Sequence, residues 1–193
     1  MSRMKLVEKR SSTFILFVLI VLSKCEYIYS WVNEVPDIRK FYVQNEKIWT
    51  IISTMWPPKY CQVDVVYTTS QKYAFFNRSY TLKGTRYQEY LLGMFTEIPV
   101  PFTKLGTFNA MRIAPRKGTS YISEDQLLYQ TDNYTCGVFN VTMLPRTQNY
   151  YYDVRVKESA LNHSHSSCAA VFRDLTYFEQ NTTLFNDSCL HKG

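Results

Sequence analysis

Residues 134–168 read YTCGVFNVTMLPRTQNYYYDVRVKESALNHSHSSC. This stretch decides the fold. Thr135–Met143 alternates, with Val138, Asn140 and Thr142 on one face and Phe139, Val141 and Met143 on the other. Tyr150–Val156 is a second run of aromatic and β-branched residues. Pro145 has no N–H to give to a ladder, so Leu144–Asn149 is the connection. Cys136 opens the unit and Cys168 closes it. A lone hairpin is marginal in water. These two strands therefore belong to a larger sheet, as the last hairpin of a β-barrel, with Asp153 carried inward.

Working upstream, period-two patterns recur. Cys61, Val63, Val65 and Tyr67 alternate with Gln62, Asp64, Val66 and Thr68. Further strands are predicted at Lys72–Leu82 (ended by Lys83-Gly84), Tyr87–Glu97, Thr107–Ile113, Thr119–Ile122 and Gln126–Gln130. With the hairpin this makes about eight short strands, the pattern of an antiparallel barrel or sandwich. Eight strands closed on themselves hold one or two small ligands. Before them, Pro36 and Asp37 suit a helix start, and Ile38, Phe41, Tyr42, Ile48, Trp49 and Ile52 recur at helical spacing. This predicts an amphipathic helix to about Ser53, stopped by Pro57 and Pro58. Downstream, Ser166 or Ser167 caps a second helix, with Cys168, Val171, Phe172, Leu175 and Phe178 on one face. The polar tail after Gln180 is loose unless Cys189 ties it down.

The first thirty residues are of another kind. Arg3, Lys5, Lys9 and Arg10 precede the apolar run Phe14–Leu22. Nine apolar residues are too few to span a membrane, and the pattern is that of a secretory signal peptide, residues 1–30. Cleavage fits after Cys25 or Ser30, and the change of character at Trp31 favours Ser30. Removing 1–30 takes away five basic and two acidic residues, so the net charge falls from +6 to +3. The remaining 31–193 is read as one domain. It has no Lys/Arg block, which argues against nucleic acid.

Of five cysteines, Cys61, Cys136, Cys168 and Cys189 remain, an even set that implies two disulfides in one of three pairings. Sequons at Asn77, Asn133, Asn162, Asn181 and Asn186 agree with export; a sixth, Asn140, is mid-strand and needs an outward face. His163-Ser-His165 sits in a polar loop without matched ligands, so no metal and no cofactor is expected. Arg116-Lys117-Gly118-Thr119 is a turn, and Trp49 and Trp56 are read as core. No nucleophile signature occurs, which argues against an enzyme.

The order of these features resembles the tick salivary lipocalins, the histamine-binding group in particular. The resemblance rests on the signal, the Trp31-initiated helix, Cys61-x-Val63, the strands, Cys136-x-Val138, Tyr152-Asp153-x-Arg155, Cys168, a helix and Cys189. It covers about Trp31 to Cys189. It implies a barrel bolted by Cys61–Cys189 and Cys136–Cys168. It also implies a secreted monomer that captures a host mediator: histamine or serotonin, a fatty acid or leukotriene, or a complement or clotting protein. No membrane contact of the mature form is expected.

An amine ligand needs carboxylates and aromatic walls. The amine binders carry Cys-Asp-hydrophobic and Glu-Leu-aromatic in the last hairpin. Here Gly137 stands for the Asp, and Asp153-Val154-Arg155 for the second triplet. Residues Met55–Tyr60 lack the family's acidic residue, whereas Asp125 matches a carboxylate of its sixth strand. The expected ligand-binding residues are Asp125, Asp153, Arg155 and Tyr152. Arg155 either pairs with Asp153 two residues away or clamps a ligand carboxylate. The counter-reading of Asp125 is a solvated strand end.

Overall fold

The computed structural model describes residues 35–100, 106–145, 149–177 and 179–191. The expected signal peptide, residues 101–105 of the Glu97–Gly106 loop, and Phe178 lie outside them. The first element is a single helical turn, α1 (Ile38–Phe41), capped by Asp37, whose carboxylate accepts from the Arg39 backbone N–H at 3.0 Å. The predicted start is right and the predicted length is not. The chain turns through Asn45 in a left-handed conformation and enters strand β1 (Lys47–Ser53). Ile48, Thr50, Ile51 and Ile52 are β-branched and prefer an extended backbone. A register shift between Thr50 and Ile52 breaks the alternation, which is why the apolar residues mimic helical spacing.

Seven strands follow: β2 (Tyr60–Thr69), β3 (Tyr73–Leu82), β4 (Thr85–Thr96), β5 (Ala110–Pro115), β6 (Ser123–Gln130), β7 (Cys136–Met143) and β8 (Tyr150–Lys157). Neighbours pair antiparallel in sequence order. β1 closes the barrel by pairing with β8 (Trp49 opposite Val156) and with β2 (Trp49 opposite Val63). The total of eight agrees with the sequence reading, but its membership differs. β1 takes the place of the expected strand at Thr119–Ile122, which is loop, while β6 starts earlier than Gln126. Lys83 and Gly84 form the two-residue β3–β4 turn, both with positive φ, 49° and 81°, as a tight right-twisted hairpin requires.

Connections alternate between the two ends of the barrel. α1 plugs one end: Ile38, Phe41 and Tyr42 join the interior core with Phe76, Phe139 and Met111. Two further cores lie outside the barrel wall. Helix α2 (Ser166–Leu175) covers Val138, Val154 and Val156 with Val171 and Phe172, fixed there by Cys136–Cys168. The tail returns as a two-residue strand β9 (Thr182–Thr183) beside β1, and Phe185 and Cys189 cover Trp49 and Val63. Cys61–Cys189 holds it. Both bridges are those the resemblance implied, and each contributes about 2–4 kcal/mol, largely by restricting the unfolded chain. Trp49 is core as read; Trp56, on the β1–β2 loop, is 83% exposed and is not.

Candidate functional site

The outer face of β2 is apolar because the tail covers it, so its polar residues turn inward. Asp64 thereby enters the barrel opposite Arg78 of β3. Arg78 Nε donates to Asp64 Oδ1 at 2.7 Å and Nη2 to Oδ2 at 2.8 Å, a bidentate pair. Across the interior, β6 and β8 bring in Asp125 and Asp153, with Arg155 between them. Arg155 Nη2 lies 2.8 Å from Asp125 Oδ2 and 2.9 Å from Asp153 Oδ2. Its Nε also donates to Asp153 at 3.2 Å. Tyr42 joins the two groups: its hydroxyl accepts from Arg155 Nη1 and donates to Asp64 Oδ2, both at 2.8 Å. Ser123 Oγ donates to Asp125 Oδ1 at 2.7 Å. The guanidinium of Arg155 lies over the Phe139 ring at 4.4 Å.

All five charged residues are buried, Asp125 completely. The solvated strand-end reading of Asp125 is therefore wrong: the antiparallel pairing of β6 with β5 and β7 seats it mid-wall, facing in. Asp125 Oδ2 touches Arg155 as an ion but receives no aligned hydrogen bond. The electrostatics of the other two carboxylates diverge. Burial works to raise Asp64, but the Arg78 charge and hydrogen bonds, with help from Arg155 and Tyr42, outweigh it and hold the carboxyl below its usual range. At Asp153 burial prevails over Arg155 and a Ser53 hydrogen bond, and the carboxyl rises. Arg155 divides its charge between Asp153 and Asp125, and Arg78 Nη2 also lies 3.7 Å from Asp125 Oδ2. Burial drives the Tyr42 phenol far up, so it stays a donor.

Of the four predicted ligand contacts, Asp125, Asp153 and Arg155 come together. Tyr152 does not join them. It packs on the outer face with the α2 core, because side chains alternate along β8. Tyr151 faces in instead. Both sequence readings of Arg155 meet in part: it pairs with Asp153 and also with Asp125. The expected carboxylate position at Gly137 is filled by packing, since a Cβ there would lie 2.8 Å from Leu127 and 3.2 Å from Phe41. Sequence reasoning missed Asp64, Arg78 and Tyr42. Asp64 lies between Val63 and Val65, and Arg78 shares its strand face with Phe76 and Tyr80, which was a usable signal.

Nearer the open end stand Tyr80 and Tyr151, one inward position beyond Arg78 and Asp153. Burial and a hydrogen bond to Glu89 push the Tyr80 phenol up to about 12. Lys59 lies over the Tyr80 ring at 4.3 Å; burial, then Arg78, lower its pKa. Among the sequons, Asn133, Asn162, Asn181 and Asn186 are exposed. Asn77 is 2% exposed in mid-β3, leaving no room for a glycan in this fold, so it is withdrawn as an acceptor.

A closed eight-stranded antiparallel barrel with a charged interior, a plug at one end and a C-terminal helix on its wall is a lipocalin. Residues 37–191 match the sequence profile described as tick histamine binding protein, and the chain belongs to that family, a ligand-binding one. Solved structures agree on the fold. The AM182–serotonin complex superposes with a TM-score of 0.58 at 15% identity over 81% of this chain and 94% of that one. Insecticyanin from the tobacco hornworm Manduca sexta gives 0.54 at 14% over 81% and 85%. The siderocalin Ex-FABP gives 0.53 at 9% over 74% and 94%. No curated protein sequence matches the chain.

Proposed function

We propose that this protein is a secreted lipocalin that sequesters a small host mediator without turnover, and that the mediator is a biogenic amine. One observation carries the reading. The layer joined by Tyr42 holds three carboxylates (Asp64, Asp125, Asp153) against two guanidiniums (Arg78, Arg155), one formal negative charge in excess; the buried Lys157 lies nearer the plug, its ammonium over the Phe41 ring. Adding Glu89 and Lys59 leaves the excess unchanged. An uncompensated charge in a buried layer is costly, and a monovalent ammonium group is the ligand chemistry that neutralises it. Asp125 Oδ2 receives no aligned hydrogen bond, and Tyr80 and Tyr151 offer aromatic faces for the rest of the molecule. Two disulfides suit an oxidising, extracellular setting.

A second reading rests on Arg155. Its contact with both predicted carboxylates places a cation where an ammonium group would bind, which favours a fatty-acid or leukotriene carboxylate, or a barrel that acts on host proteins through its loops. Calorimetric titration of the secreted chain with histamine, serotonin and a leukotriene separates these. The amine reading expects saturable heat with an amine, and at least a tenfold loss of affinity in Asp125→Asn. Heat with the leukotriene alone overturns it in favour of an anionic ligand. Silence with all three sinks small-ligand capture.

A further inference from the structure

The two ends of the barrel differ in charge and in exposed aromatics. At the end opposite α1 lie the loops 54–59, 83–84, 116–122 and 144–149. Their described residues include Lys59, Lys83, Arg116 and Lys117 and no Asp or Glu; the segment leading to β9 brings the exposed Glu179 to the same end. Arg86, exposed at the start of β4, adds a fifth cation. At the α1 end the signs are mixed: Asp37, Glu46, Glu97 and Asp132 against Arg39, Lys40 and Lys72. Lys59 is folded under, onto Tyr80; the other four at the open end are exposed.

Trp56 projects from that same end, 83% exposed, between Met55 and Pro57-Pro58. The two prolines restrict the backbone that presents it. A large indole left in water, at the same end of the barrel as exposed cations, is the composition that partitions into a charged lipid headgroup layer. We propose that the open end of the barrel docks on anionic phospholipid surfaces, with the Trp56 indole in the headgroup layer and Lys83, Arg86, Arg116 and Lys117 against the lipid charges. The attraction is electrostatic in range and weakens with salt. The docking is peripheral and uses no spanning segment. It revises the expectation that the mature form makes no membrane contact.

The intact secreted chain tests this with two vesicle preparations: phosphatidylcholine alone, and an equimolar mixture with phosphatidylserine. Co-sedimentation is expected with the mixture only, diminishing as salt rises. Each exposed cation removed, as in Lys83→Ala or Lys117→Ala, weakens it about fivefold, whereas Lys72→Ala at the other end does not. Vesicle addition shifts tryptophan emission to the blue, and Trp56→Ala removes that shift. Equal recovery on both vesicles, or unchanged binding in the Lys83→Ala/Lys117→Ala double variant, overturns the proposal. So does retention on heparin without vesicle binding, which makes the partner a sulfated polysaccharide. Matching thermal melts of the variants exclude misfolding as the cause of a loss.

Discussion

On the β2–β3 side of the barrel interior, Arg78 grips Asp64 through two hydrogen bonds, with both carboxylate oxygens used. On the β6–β8 side, Asp125 and Asp153 share Arg155, and Asp125 Oδ2 also lies 3.7 Å from Arg78 Nη2. The first group is a satisfied structural pair. The second has more acceptor than donor and more negative charge than positive. Buried polar groups of the first kind specify a fold; those of the second are poised for a ligand. Tyr42, held by the α1 plug, hydrogen-bonds to both and makes them one layer.

The largest effect that probes this contrast is Asp64→Asn. It leaves the Arg78 guanidinium buried beside a neutral partner, and costs about 3–5 kcal/mol of unfolding free energy in denaturant titrations. A loss no larger than that of a surface variant would mean the pair is replaceable by water. Tyr42→Phe removes the bridge and strands one donor and one acceptor, costing about 1–3 kcal/mol. If the two groups are independent, its effect and that of Asp153→Asn simply add.

Acidity separates the groups by sign. The Asp64 carboxyl is lowered from the model-compound 3.8, so its contribution is present above that value and lost as pH falls through the folded one. The Asp153 carboxyl is raised from 3.8, so its contribution is present below 3.8 and lost as pH rises through the folded value. The penalty of Asp64→Asn therefore shrinks on acidification, and that of Asp153→Asn shrinks toward neutrality. Parallel pH slopes for the two variants would erase the distinction.

Much of the wall was legible residue by residue. Period-two runs marked β2, β3, β4, β7 and β8 because a strand's facing repeats every second residue whatever lies beyond it. β1 was hidden by its own irregularity: the shift between Thr50 and Ile52 spaced the apolar residues like a helix. The start of β6 was hidden by Ser123, Glu124 and Asp125, polar residues that read as loop when no partner strand is known. Trp56 was assigned to the core by residue type alone. Asp153 was read from the hairpin itself, and Asp125 and Arg155 through resemblance to other chains. Asp64 and Arg78 were not, although the alternation containing Asp64 was plain.

What the sequence determined by itself was local: strand periodicity, the tight turn at Lys83-Gly84, the cap at Asp37 and a cysteine set able to bolt the ends. Which face of each strand turned inward was decided only when the tail and α2 covered the outer wall, since an alternating strand has two faces and burial chooses between them. Which acid shares which guanidinium was decided later still. Arg155 and Tyr42 are 113 residues apart in the chain, and only closure of the barrel brings their hydrogen bond to 2.8 Å.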